Sequence, residues 1–207
     1  MQAKGQSIWP SPPLVIGEAY QGGYYAGQIG VSGVATHNLV IGPIASAQAG
    51  TTLVWKTSNT STAGTSSVID GPTNSSNMNN ASHPCAQFCE GLTIGGFSDW
   101  YMPAQNELEV CYYNLKPTTT SNVTSGSGVN ANAVPARASP YTAGDPAQTT
   151  ATDFRSTGAE DFAATAYWSS TEATATDAFF QNFDNAYQLT NNKNYGFRVR
   201  AIRRVAV

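Results

Sequence analysis

The stretch from Tyr167 to Arg204, YWSSTEATATDAFFQNFDNAYQLTNNKNYGFRVRAIRR, constrains the fold more than any other part of the chain. It opens on an aromatic pair and closes on a basic run with β-branched residues, and both ends have the pattern of core strands. The segment between them is made almost wholly of Asn, Thr, Ala, Asp, Tyr and Phe. A chain that buries both ends must carry the middle at its surface, so the middle is expected to touch a partner.

Strand alternation sharpens this expectation. Phe179, Gln181 and Phe183 fall on one face, Phe180, Asn182 and Asp184 on the other. The first set can pack on the core. The second presents an aromatic beside an amide and a carboxylate. Rigid aromatics with small adaptable amides are also the vocabulary of antibody paratopes. A plain solvated loop is the competing reading, but an exposed Phe180 and Leu189 on so polar a segment favour an interface. Replacing Phe180 and Tyr187 together is then expected to remove binding and leave the thermal midpoint nearly unchanged. Trp100 and Trp168 are expected to behave as core.

Charge narrows the partners. The net charge is −3 and charged residues make up 11% of the chain, less than half the usual share. Ser, Thr, Asn and Gly replace them, giving the neutral, hydrogen-bonding surface common in extracellular and virion proteins. The only basic cluster is Arg198, Arg200, Arg203 and Arg204. Arg198 and Arg200 share a strand face in strict alternation, which suits ion pairing as well as phosphate. Nucleic acid is therefore not expected as a partner. The opening MQAKGQSIWPSPP has no long apolar run, so neither a signal peptide nor membrane insertion is expected.

Three cysteines, Cys85, Cys89 and Cys111, are an odd number for a disulfide framework. All three fall at apolar helix positions, and buried small hydrophobes are the simpler reading. His83 is close to Cys85, but the spacing of a metal site is missing. Neither a metal nor a cofactor is expected.

The 207 residues fit one domain with insertions: an arm at 1–13, then a domain at 14–207. Residues 14–30 read as a hairpin turning at Gly22-Gly23, 38–42 as a strand, and 52–56 as a strand that buries Trp55. A polar stretch at 57–75 leads to a helix with Cys85, Phe88, Cys89 and Leu92 on one face, stopped by Gly95-Gly96. DWYM reads as a strand with Trp100 inward. A second helix then opens near Pro103, repeats Leu108, Cys111, Tyr112 and Leu115, and closes at Lys116-Pro117. Glu107 and Glu109 are expected as carboxylates favoured by the helix dipole, not a catalytic pair. Residues 118–150 form a long irregular insertion, an ordered loop or a mobile arm. The class is α+β: two helices, a small twisted antiparallel sheet and long irregular loops.

Three motifs in order, GGFSDWYMPAQNEL, YWSSTE and FRVRAIRR, resemble the C-terminal domain type of Lcl-like adhesins and phage tail-fibre proteins, over roughly residues 15–205. The resemblance implies a C-type lectin-like fold. Residues 172–200 further resemble the variable region of proteins diversified by retroelements. That likeness implies fixed positions at Ala178, Gln181, Phe183, Gln188, Lys193, Arg198, Val199 and Arg200. It implies variable, ligand-contacting positions at Ala173, Thr174, Thr176, Asp177, Phe180, Asn182, Asp184, Tyr187, Leu189, Asn192, Asn194, Tyr195, Gly196 and Phe197.

Together these readings imply a receptor-binding domain of a virion tail fibre, or of a cell-surface adhesin. It would bind a bacterial cell-surface protein or glycan through residues 173–197, without chemistry. A homotrimer, or docking on other virion tail proteins, is expected with it. Two alternatives stand beside this. One is a calcium-dependent lectin with Asp177 and Asp184 as oxygen ligands, though Trp168-Ser169-Ser170 stands where such lectins carry Trp-Asn-Asp. The other is an enzyme of the related formylglycine-generating type, which needs a poised thiol that the apolar cysteine positions do not suggest.

Overall fold

The computed structural model describes residues 13–207, so the expected arm at 1–13 lies outside the described residues except for Pro13. In chain order the elements are β1 (Ala19–Tyr20), β2 (Gly23–Val31), β3 (Val34–Ile41), α1 (Ile44–Ala47), β4 (Leu53–Val54), α2 (Gly71–Asn77), α3 (Pro84–Glu90) and α4 (Gln105–Leu115). A 3-10 turn at Thr152–Phe154 precedes β5 (Ala166–Glu172), β6 (Asp177–Asn182), β7 (Gln188–Asn192), β8 (Gly196–Phe197) and β9 (Ile202–Ala206). The class is α+β. Four α-helices, not two, occur among the described residues.

The additional helices have no apolar period to betray them. α2 reads GPTNSSN, yet it buries Asn74 and Ser75 by satisfying their polar atoms. Asn74 Nδ2 donates to Ser67 O at 2.6 Å, and Ser75 Oγ accepts from Met102 N at 3.0 Å. The Asp70 carboxylate caps the helix by accepting from Thr73 N. α3 ends at Glu90 with Gly91 as its cap, so Leu92 lies beyond it. Gly95-Gly96 makes a separate turn closing the Ile94–Phe97 bridge. The DWYM segment is no regular strand; Tyr101 alone bridges, to Ile202. Pro103 lies before α4, whose N-cap is Ala104.

The antiparallel sheet β1-β2-β3-β9 brings the last strand onto the second hairpin. The first hairpin turns at Gln21-Gly22 rather than at Gly22-Gly23, with φ of 47° and 85°. Ser32-Gly33 turns the second, with φ of 51° and 78°. Positive φ at both central residues is what a type I′ turn requires. The other sheets are β5-β6-β7 and the short pair β4-β8.

Tyr167 and Trp168, neighbours on β5, point to opposite faces and join two cores. Tyr167 packs with Leu39, Leu108, Tyr112, Phe162 and Phe183. Trp168 packs with Trp55, Cys85, Cys89, Trp100, Phe180 and Val199. α4 lies against the first core through Leu108, Cys111, Tyr112 and Leu115, the positions its period predicts. Its carboxylates lie in the first half of the helix as expected, Glu107 in the first turn, and both Glu107 and Glu109 are fully buried. Glu107 accepts from Ala104 N at 2.8 Å and from Arg204 Nε at 2.6 Å. Glu109 accepts from Asn130, Arg137 and Tyr141, all in the insertion. Each therefore holds a different part of the chain against α4. Lys116 completes the anchorage by donating to Thr120 O, Asn122 Oδ1 and Pro146 O. Residues 118–150 are thus an ordered, packed loop.

Arg200, Arg203 and Arg204 of the arginine run are ion-paired. Buried Arg200 meets Glu160 at 2.6 Å, and Arg203 grips both oxygens of Asp99 at 2.7 and 2.8 Å.

Candidate functional site

The pairing of β6 with β7 sets Phe180 opposite Leu189, Gln181 opposite Gln188, and Asp177 opposite Asn192. Alternation therefore divides the fourteen candidate residues, and they do not form one continuous face. Phe180 and Leu189 continue a row that begins at Trp168, with 0% of Trp168, 8% of Phe180 and 48% of Leu189 exposed. The row climbs from core to rim.

Phe180 is thus a core residue, contrary to the expectation of an exposed contact. β8 explains why: the Phe197 ring lies 4.9 Å from Phe180 and 4.6 Å from Trp168. Because β8 is held in place by β4, far back in the chain, the covering ring is invisible to strand register. The exposed rings are Tyr187, 6.3 Å from Phe180, and Tyr195, 5.3 Å from Phe197. Trp168 Nε1 donates to Tyr195 O at 3.3 Å, which ties the rim to the core. Removing Phe180 would open that core, so the joint test with Tyr187 cannot separate binding from folding. Trp100 and Trp168 are buried, as expected.

A polar corner forms where β6 begins and β7 ends. The Asp177 carboxylate accepts from Thr174 Oγ1 at 3.0 Å, Thr176 Oγ1 at 2.7 Å and Asn192 Nδ2 at 2.6 Å. These hydrogen bonds, Thr176 foremost, hold the Asp177 carboxyl below its ordinary range. Ala173 and Gly196 are half-buried beside this surface, and Asn194 is exposed.

Asp184 and Asn182 serve another purpose. Asp184 accepts from Thr118 Oγ1 through its carbonyl and from Thr120 Oγ1 through its carboxylate, while Asn182 Oδ1 accepts from Asp184 N. They join the strand end to the insertion. Asp177 opens β6 and Asp184 lies beyond its other end, roughly 20 Å along the chain at strand rise. That separation removes them as joint ligands of one calcium ion.

Burial separates the two implied sets of positions. Ala178, Gln181, Phe183, Lys193, Val199 and Arg200 are buried, with Gln188 and Arg198 half-buried. Among the candidate contacts only Phe180 is buried; Thr174, Thr176, Tyr187, Leu189, Asn192, Asn194 and Tyr195 are exposed. Asn59 belongs beside them, since its Oδ1 accepts from Asn194 N at 3.2 Å. No local signal could have found a partner so distant in sequence.

Cys85, Cys89 and Cys111 are buried and free, and burial pushes each thiol up in pKa. Native protein is therefore expected to react with a thiol reagent only on unfolding. Rapid stoichiometric labelling at neutral pH would restore the thiol-enzyme alternative. Cavities of about 340 and 360 Å³ open beside His37 and beside Tyr20, away from the rim.

A family model described as the Lcl C-terminal domain matches residues 47–203, from the end of α1 into β9. The match starts later than the motifs suggested and leaves β1 to β3 outside it. No curated protein matches the sequence.

Proposed function

The chain belongs to the Lcl C-terminal domain family, and on that premise we propose that it is a receptor-binding domain of a phage tail fibre or cell-surface adhesin. It holds a bacterial surface protein or glycan by non-covalent contact. One observation carries this reading: in a single segment six of the eight positions implied as fixed are buried, whereas of the fourteen implied as variable only Phe180 is buried, seven being exposed and six half-buried. A surface that must change while its scaffold stays intact needs that division. We read the fold as C-type lectin-like, its loop-rich side carrying the contacts. The rim joins Tyr187, Leu189 and Tyr195 as apolar anchors, and the polar corner joins Asp177, Thr174, Thr176 and Asn192. Several copies on one trimeric fibre would strengthen modest single contacts.

The test is adsorption of labelled protein to a panel of bacterial strains. Changing Leu189 and Tyr195 together to Ser is expected to remove adsorption and to shift stability by no more than about 0.5 kcal/mol, as for exposed positions. Unchanged adsorption on every strain that binds the parent protein would overturn the assignment of the rim. Adsorption that survives a chelator supports the reading without calcium, and its loss would restore the calcium-dependent alternative. Sequencing the encoding locus across a population tests diversification separately. A nearby reverse transcriptase and template repeat, with changes confined to template adenines, is the expected result. A uniform locus would leave a fixed adhesin.

A further inference from the structure

Loop 57–65 is fastened beside the contact surface by two ammonium groups. Lys56 Nζ donates to Thr60 O at 3.1 Å, Ser61 O at 2.7 Å and Thr62 Oγ1 at 3.0 Å. Lys193 Nζ donates to the same Thr60 carbonyl at 3.0 Å and to Ala175 O at 2.8 Å, with Glu172 Oε1 3.2 Å away. The other oxygen of Glu172 accepts from Thr62 N and Thr65 Oγ1. Through these bonds, and through Asn59 to Asn194, the loop connects the turn at 173–176 to the turn bearing Asn194 and Tyr195.

His83 lies under this loop, buried edge-on against Trp55. Its tautomer follows from its neighbours. Asn80 Oδ1 already accepts from Ser82 N at 3.1 Å, so His83 Nδ1, 2.9 Å from the same oxygen, carries the hydrogen. In the neutral ring Nε2 then accepts the Thr62 hydroxyl at 2.9 Å, leaving Thr62 Oγ1 free to accept from Lys56. A proton on Nε2 would reverse that bond and strand the Thr62 hydrogen. It would also add a third positive charge beside Lys56 and Lys193, opposed by the single carboxylate of Glu172. The ring stands at the N-cap of α3, where the helix dipole also disfavours a cation.

We propose that His83 is an acid-sensitive catch for the contact surface: proton uptake at Nε2 releases loop 57–65 and with it the turn bearing Asn194 and Tyr195. As regulation of that surface, this rests on the adhesion reading. Burial first, then Lys56 and Lys193, pushes the imidazole down to about 4, with Glu172 acting the other way. Burial lowers the Lys193 ammonium in pKa, and Asp177 bears on the cluster by opposing that shift. Because the folded value lies below the ordinary 6.5, the catch is fully closed above that pH and opens as pH falls toward 4.

Amide exchange tests this without any receptor, so its outcome is independent of whether the rim binds cells. Between pH 6.5 and 4, amides of 57–65 and 194–196 are expected to lose protection about tenfold relative to β3 amides. His83→Gln, which keeps one donor and one acceptor but cannot be protonated in this range, should abolish the differential loss. Equal loss in parent and variant, or no differential loss in the parent, would overturn the catch. Should the variant fail to fold, nitrogen shifts of His83 in the parent protein decide: Nε2 protonated at pH 7 contradicts the proposal.

Discussion

Truncating Trp168 to Ala is expected to lower stability by about 3–5 kcal/mol and also to disturb the contact surface. The side chain is fully buried at the centre of the second core, packed against Phe180 and Phe197. Its removal leaves a cavity bounded by the Phe180 and Phe197 rings, fixed on two strands that cannot collapse without losing register. Its Nε1 also holds the Tyr195 carbonyl, so the exposed ring of Tyr195 loses its footing. Denaturant titration and cell adsorption should therefore both change. Trp168→Phe should recover most of the packing while leaving Tyr195 untied. A loss under about 1 kcal/mol for the Ala variant would mean the second core is not built around this residue.

Glu107→Ala is expected to cost about 3–5 kcal/mol, the usual result of breaking a buried ion pair from one side. Glu107 accepts from the Tyr101 hydroxyl, Arg204 Nε, Ala104 N and Gly71 N. Deletion leaves these donors unmet and the Arg204 charge without its partner. Glu107→Gln should help little, because its NH₂ group would face donors. Replacing Glu107 and Arg204 together with Met should be less damaging than Glu107→Ala, since the stranded charge is gone. Thermal melts of the three variants check the order. If the double variant were the worst, the attraction itself would be supplying the stability. Glu107 would then be more than a partner that must not be left alone.

What was legible in the sequence was whatever obeyed a short period or a local rule. α4 showed itself through Leu108, Cys111, Tyr112 and Leu115, and the Tyr167-Trp168 pair through adjacent bulky aromatics. α2 stayed hidden because a helix that buries Asn74 and Ser75 satisfies them with partners from 67 and 102, which no window around 71–77 contains. Glu107 and Glu109 suited the first half of a helix in any protein. Only the packing of Arg204 from β9 and Arg137 from the insertion turned them into buried hubs. The candidate surface divided in the same way. Tyr187, Leu189, Asn192 and Tyr195 are open as their setting suggested, while Phe180 was lost to the core because Phe197 lies over it.

By itself the sequence determined that this chain would carry a neutral, amide-rich and aromatic surface on a scaffold of buried strands. It did so because alternation and composition act within a few residues. The tertiary structure alone decided which way that surface faces and what holds it. Orientation depends on β4 meeting β8, and support on Lys56 and Lys193 sharing the Thr60 carbonyl. Both are contacts between distant segments, whose energy is realised only after the intervening chain has closed around them.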